Sequence, residues 1–400
     1  MKKIFLAFAL FGVGTQWLSA QDTLRNKEGG NYIFTVVNDL EATEVKNQYR
    51  SGTCWSFSAL SFFESELDRM GKGNYDLSEM FVVRHTYSDK AEKYVRMHGN
   101  LNFGPGGAFH DAQHVLKHHG MVPESVYSGL EYGTEKHIHG ELDAMMKSMV
   151  DAVIKNKNRQ LSPAWHPAFN AALDTYLGEV PEEFEFQGKT YTPQSYADEL
   201  GINPDDYVTL SSYTHHPFYE TFVLEVPDNW LGGEVYNLPL NELIETMNNA
   251  LKNGYGIAWA ADVSEKGFSF RDGLAIVPEN EKAIQQKGSD NSNFSDAGAE
   301  KVGNQFMAPG TEKTITQEMR QKAFDNYETT DDHGMHITGL VKDQEGTPYY
   351  IVKNSWGTGY QTGIDGYFFA SEAYVRYKTM DIMLHKDALP KSIKKKLGIK

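Results

Sequence analysis

Cysteine is all but missing from this chain: Cys54 is the only one. A single thiol cannot pair within the chain, so internal disulfides are excluded as a source of stability. With 400 residues, 40% of them hydrophobic, a sizeable core is possible without such staples. Cationic charge is scarce too. Lys and Arg number 38 against 54 Asp and Glu, a formal net charge of -16. That balance argues against a nucleic-acid partner, because phosphate binding needs an excess of cations. Beyond the first twenty residues no apolar run is long enough to span a bilayer, so no stable membrane association is expected. No internal repeat is present.

The first twenty residues differ from the rest. Lys2 and Lys3 precede an apolar run from Ile4 to Val13, and Leu18-Ser19-Ala20 places small residues ahead of Gln21. Residues 1–20 therefore read as a secretory signal peptide, with bacterial export to the periplasm or the outside expected. An N-terminal membrane anchor is the alternative. Lipid attachment is excluded, because no Cys follows the small residues. An exported protein with one unpaired thiol must either bury that thiol as a small hydrophobe or use it.

Local pattern separates these readings. From Cys54 onward Trp55, Ala59, Phe62, Phe63 and Leu67 recur with helical spacing, and Gly71 and Gly73 end the run. Cys54 thus stands at the N-terminus of an expected buried amphipathic helix, where the peptide dipoles favour a thiolate. The tight loop Gly104-Pro105-Gly106-Gly107 leads into a second expected helix, Ala108 to His119. Residues 131–200 read as a mainly helical insertion broken by prolines. A helix is expected over Leu240–Asn253 and strands over Tyr32–Val37, Ile257–Val263, His333–Val341, Tyr349–Lys353 and, last, Tyr367–Ala370. Residues 279–310 are Gly-, Ser-, Asn- and Asp-rich, a long surface loop. The tail from Leu389 is Lys-rich.

Thiol catalysis needs a base, a group that orients the base, and donors for the oxyanion. Gln48, upstream in the polar loop before Cys54, offers an amide N–H that folds back over the site, unless it is merely solvated. Gly52 lets the backbone pass close to that site. Two histidines, His333 and His336, lie on one expected strand and point to opposite faces.

The stretch Gln48-Tyr49-Arg50-Ser51-Gly52-Thr53-Cys54-Trp55 resembles the nucleophile motif of the papain-like cysteine peptidases, with Ser51 and Thr53 departing from the related Cys-Gly-Ser/Ala-Cys-Trp/Tyr pattern. The resemblance implies an α+β fold in which a helical subdomain carrying the nucleophile helix packs on an antiparallel, barrel-like β subdomain. It selects His333 as base, because Gly334 follows it and Met335, Ile337 and Gly339 complete the family pattern. Tyr350-Ile351-Val352-Lys353-Asn354-Ser355-Trp356-Gly357 resembles the third motif, which implies Asn354 as orienter and Trp356 as its cover. Gly106 and Gly107 resemble the loop whose backbone binds peptide substrates on the acyl side. No cofactor and no metal are implied.

Cys54 and His333 are separated by far more than the roughly 130–150 residues of papain. That length, with Thr214–Glu220, Asn229–Gly233, Asn237–Leu240 and Ala258–Val263, resembles the bleomycin hydrolase or aminopeptidase C branch. The branch implies a C-terminus lying in the cleft, removal of amino-terminal residues, and hexamers. An endopeptidase, or an acyltransferase on the same machinery, is the near alternative. Metal binding is the more distant one: His110, His114 and His118 recur on one helix face, with His119, His137, His139, His215 and His216 elsewhere, but no zincin motif accompanies them. Polar histidines on a helix face are the plainer reading.

Overall fold

The computed structural model describes residues 23–158, 160–284 and 304–400. The expected signal peptide lies outside the described residues, as does most of the loop expected at 279–310. The chain opens with β1 (Thr23–Arg25) and β2 (Ile33–Asp39), followed by α1 (Cys54–Arg69), α2 (Glu79–Arg96) and α3 (Phe109–His118). Then come α4 (Gly140–Ile154), α5 (Trp165–Leu177), the small hairpin β3 (Phe184–Phe186) and β4 (Lys189–Tyr191), and α6 (Pro193–Leu200). The β-rich half begins with β5 (Tyr207–Ser211), β6 (Thr221–Val223), β7 (Glu234–Asn237), α7 (Leu240–Lys252), β8 (Ile257–Ala261), β9 (Phe268–Ser269) and β10 (Leu274–Ala275). It ends with α8 (Gln317–Asp325), β11 (His333–Lys342), β12 (Pro348–Lys353), β13 (Tyr367–Ser371), α9 (Glu372–Lys378), β14 (Thr379–His385) and α10 (Lys391–Leu397).

The large sheet runs β6-β7-β5-β14-β8-β11-β12-β13-β10-β9 and is mostly antiparallel. β11 organises it. Its first half pairs with β8, its second half with β2, and β12 flanks the other edge. One face of this sheet meets α1, and a core of Trp55, Phe62, Phe63, Phe81 and Val115 fills the helical half. A second core, with Trp259, Ile337, Tyr350 and Ile382, lies under α7, α9 and α10.

Two expectations need correction. α1 is buried as expected, but it has no polar face: its burial extends nearly all round and takes in Glu64 and Glu66. Those carboxylates survive burial because each is paired. Glu64 accepts from Thr43, Lys46 and the Leu77 N–H, and Glu66 is held by Arg69. Next, the strand after Asp365 is not the last, since β14 follows and sits mid-sheet between β5 and β8. Its run Met380-Asp381-Ile382-Met383 is masked in the sequence by the surrounding lysines. The Lys-rich tail, whose place the sequence left open, packs away from the cavity, which residues 391–397 do not line. Ile393 and Leu397 of α10 are buried in the second core, and Lys396 pairs with Glu242 of α7.

α2, the longest helix among the described residues, carries so many charges that its periodicity is faint, yet most of it is buried. Lys90 explains how: its ammonium donates to the Gly104 and Gly106 carbonyls. Among the described residues no helix is long and apolar enough to cross a membrane.

Candidate active site

A cavity of about 510 Å³ opens where α1 meets β11. Gln48, Cys54, Gly106, Gly107, His333 and Trp356 all line it. Cys54 occupies the first position of α1, after Thr53, whose hydroxyl contacts Ser51 rather than capping the helix. The Cys54 N–H is claimed by no hydrogen bond among the described residues. The helix terminus therefore turns an open N–H and its positive dipole end toward the sulfur.

His333 begins β11, and its Nε2 lies 2.8 Å from Asn354 Oδ1 at the end of β12. That contact makes Nε2 the protonated nitrogen and leaves Nδ1 for proton exchange. Trp356 covers the pair, its ring 4.9 Å from the imidazole. His336 is elsewhere: its Nδ1 meets Ser61 Oγ at 3.0 Å beneath α1, and it does not line the cavity. The choice between two histidines three residues apart thus has a plain structural basis in strand alternation.

Burial pushes the Cys54 thiol up to about 12, with the Gly334 N–H opposing it by donating to sulfur and the charges of Asp331, Asp228 and Asp332 adding to it. Burial likewise pushes the His333 imidazole down to about 4, against the pull of Asn354. Each lone charge is disfavoured because it loses water. Moving one proton from sulfur to ring creates both charges together, and opposite charges formed in one cavity away from water attract more strongly than they would in solvent. The helix terminus adds to that attraction. Chemically, the arrangement can deliver a thiolate and take back a proton in one place.

Gln48 is held from both ends. Its Nε2 donates to the Ser51 carbonyl at 2.8 Å, and its Oε1 accepts from Ser355 Oγ at 2.6 Å. This fixes the amide's orientation and leaves its second N–H for the cavity. Ser355 was not singled out in the sequence, although it sits between Asn354 and Trp356. Gly52 has a different use from the one expected: a Cβ there would stand 2.6 Å from Pro105 Cγ, so the glycine lets the nucleophile loop pack on the Gly104–Gly107 loop. Trp55 Nε1 donates to the Pro105 carbonyl at 3.0 Å and ties the same two loops. The Gly107 N–H and carbonyl make no hydrogen bond among the described residues.

The cavity also contains groups with no sequence signal. Asp228, Asp331, Asp332 and Asp381 line it, and among the described residues no Lys or Arg does. Asp332 is held by the Val263 and Ser264 N–H groups.

The histidines regroup. His110 is half-buried, with its Nε2 3.6 Å from an Asp111 carboxylate oxygen rather than on the carboxylate that His114 and His119 share. His114 and His119 converge instead on one carboxylate oxygen of Asp89, at 3.3 and 3.0 Å. Among the described residues, Asp89-His114-His119 and His215-His216-Glu225 are the groups with ligand atoms close enough to share a metal ion. His137 and His139 are both buried, their rings edge to face at 5.7 Å.

Comparison with known proteins agrees with this geometry. The sequence pattern of the Peptidase C1-like family matches residues 13–278 and 311–399. Aminopeptidase C of Streptococcus thermophilus is 22% identical over 417 residues, covering 93% of this chain and 86% of that protein. Cysteine proteinase 1, mitochondrial, of Saccharomyces cerevisiae is 23% identical over 431 residues, covering 94% and 83%. The crystal structure of PepW from Lactobacillus rhamnosis shares the fold, with a TM-score of 0.65 at 20% identity over 91% of this chain and 84% of that one.

Proposed function

Because this chain belongs to the Peptidase C1-like family, we propose that it is a cysteine peptidase that uses Cys54 as nucleophile to release amino-terminal residues from short peptides. The observation that carries the chemistry is the 2.8 Å contact between His333 and Asn354 beside a helix-terminal thiol. His333 takes the proton from sulfur as the thiolate attacks the peptide carbonyl. The oxyanion forms between the Cys54 N–H and the free N–H of Gln48. His333 then gives its proton to the departing amine, leaving an acyl-enzyme on sulfur. Water, deprotonated by the same imidazole, releases the acid and restores the thiol. Asn354 keeps the ring turned toward sulfur throughout, Trp356 shields that bond, and the backbone of the Gly106–Gly107 loop, with both groups of Gly107 unengaged among the described residues, lines up the acyl-side residues of the substrate.

The amino-terminal restriction rests on the relatives named aminopeptidase C and on an acid-lined cavity suited to a free ammonium group. One observation favours an endopeptidase instead: α10 is packed against α7, so residues 391–397 do not obstruct the cleft. The two readings separate on an N-acetylated peptide and its free-amine twin. Preference for the free amine is expected, and equal hydrolysis of both would sink the exopeptidase reading. The export pattern of residues 1–20 supports action outside the cytoplasm. Detection of the mature protein in the cytoplasmic fraction, with residues 1–20 retained, would overturn that placement.

A further inference from the structure

The acidic groups of the cavity are placed by two separate devices. In pairing with β8, Thr379 lies opposite Ala261, but Asp381 lies opposite Ala260, so the register slips at Met380. Without that bulge Asp381 would stand opposite Trp259, whose side chain belongs to the second core. The extra residue turns the carboxylate onto the other face, in line with Ala260 and Gly334 across three strands. Asp381 lines the cavity there with only 8% of its surface exposed. No hydrogen bond or ion pair engages its carboxylate among the described residues. The nearest cation acting on it, Arg320, donates to the Ser212 and Arg376 carbonyls instead.

Asp228 arrives from the loop between β6 and β7. Its carboxylate is pressed against Gly106, where a Cβ would stand 1.9 Å from Oδ2, and Asn102 Nδ2 holds its other oxygen at 3.0 Å. Lys90, the cation acting on it, is occupied by the Gly104 and Gly106 carbonyls. Asp228 thus stands against the loop whose resemblance implies acyl-side substrate binding.

We propose that Asp228 and Asp381 receive the free α-ammonium group of the substrate, so that the acyl side of the cleft is closed by carboxylates from the β6–β7 loop and the β14 bulge. This deepens the aminopeptidase reading and rests on it. The ligand class is a peptide with an unblocked N-terminus, and the alternative ligand is a basic substrate side chain.

The test uses the whole enzyme with leucyl- and arginyl-coumarin amides and N-acetyl-leucyl-coumarin amide. Asp228→Asn is expected to lower kcat/KM about 30-fold or more on both free-amine substrates, chiefly through KM. The ratio of free-amine to acetylated hydrolysis should collapse with it, and Asp228→Glu should restore part of that ratio. Asp381→Asn, on an independent strand, should act in the same direction and carries the test if Asp228→Asn does not fold. Variants that fold and keep the wild-type ratio would overturn the assignment, as would a loss confined to the arginyl substrate. A wild type that ignores acetylation fails the exopeptidase reading itself, which is a different result.

Discussion

In the row formed by Gln48, His333, Asn354 and Ser355, each side chain is held by at least one hydrogen bond within the protein. In the acidic part of the same cavity, Asp381 has none and Asp228 has a single amide. The row does not depend on a ligand for its geometry. Its hydrogen bonds hold the reacting groups before substrate arrives, which is what lowers a barrier without reorganisation. The carboxylates are the reverse. Burial raises Asp228 and Asp331 above the ordinary range and Asp381 to about 7, so they gain most when a cation enters. One region is finished by the protein and the other is finished by what binds.

The sharpest way to break that contrast is at sulfur. Cys54→Ser should lower hydrolysis on the order of 10⁴-fold or more with little change in melting temperature, since hydroxyl and thiol are close in size. Retained turnover would remove the thiol mechanism. Next come the two regions' supports. Gln48→Ala should reduce kcat about 100-fold at nearly constant KM, the mark of a group used in the transition state. Lys90→Met, which frees the carbonyls of the Gly104–Gly107 loop, should act mainly on KM; a pure kcat effect there would erase the division between the two regions.

A smaller effect concerns stability. Burial, with Lys353 beside it, holds the His336 imidazole down at about 3, against about 6.5 when unfolded. As pH falls below 6.5 the unfolded chain binds a proton that the folded chain refuses, so stability is lost on the acid side. His336→Gln should remove about 2 kcal/mol of the loss between pH 6.5 and 5 in urea melts, and an unchanged slope would refute the linkage. The smallest expected effect is that of a chelator. Activity should be unchanged by it and abolished by iodoacetamide, even though Asp89, His114 and His119 could share an ion.

How much was legible beforehand follows the same division. Cys54, His333 and Asn354 announce themselves because each needs a particular neighbour: a helix start, a small following residue, a strand end before Trp356. The strands of β8, β11 and β12 were readable within a residue or two from their apolar runs. Asp228 and Asp381 were not, since a loop carboxylate and a strand carboxylate look like ordinary surface charges. Only a register slip at Met380 makes Asp381 a cavity residue, and a bulge leaves no mark in composition. α2 was hidden for a related reason: Lys90 and Arg84 read as solvent-facing until their buried partners are seen.

The mid-sheet place of β14 has a consequence for how the molecule is made. β5 and β8 leave the ribosome long before the strand that belongs between them, and Ile382 must find both Leu210 and Trp259 across great sequence separation. Such distant pairings are slow to form. Until they do, two apolar strands present unpaired edges to any similar chain nearby, a hazard for aggregation. A chain stopped before Thr379 keeps that hazard permanently, and it also lacks the floor of its own cleft.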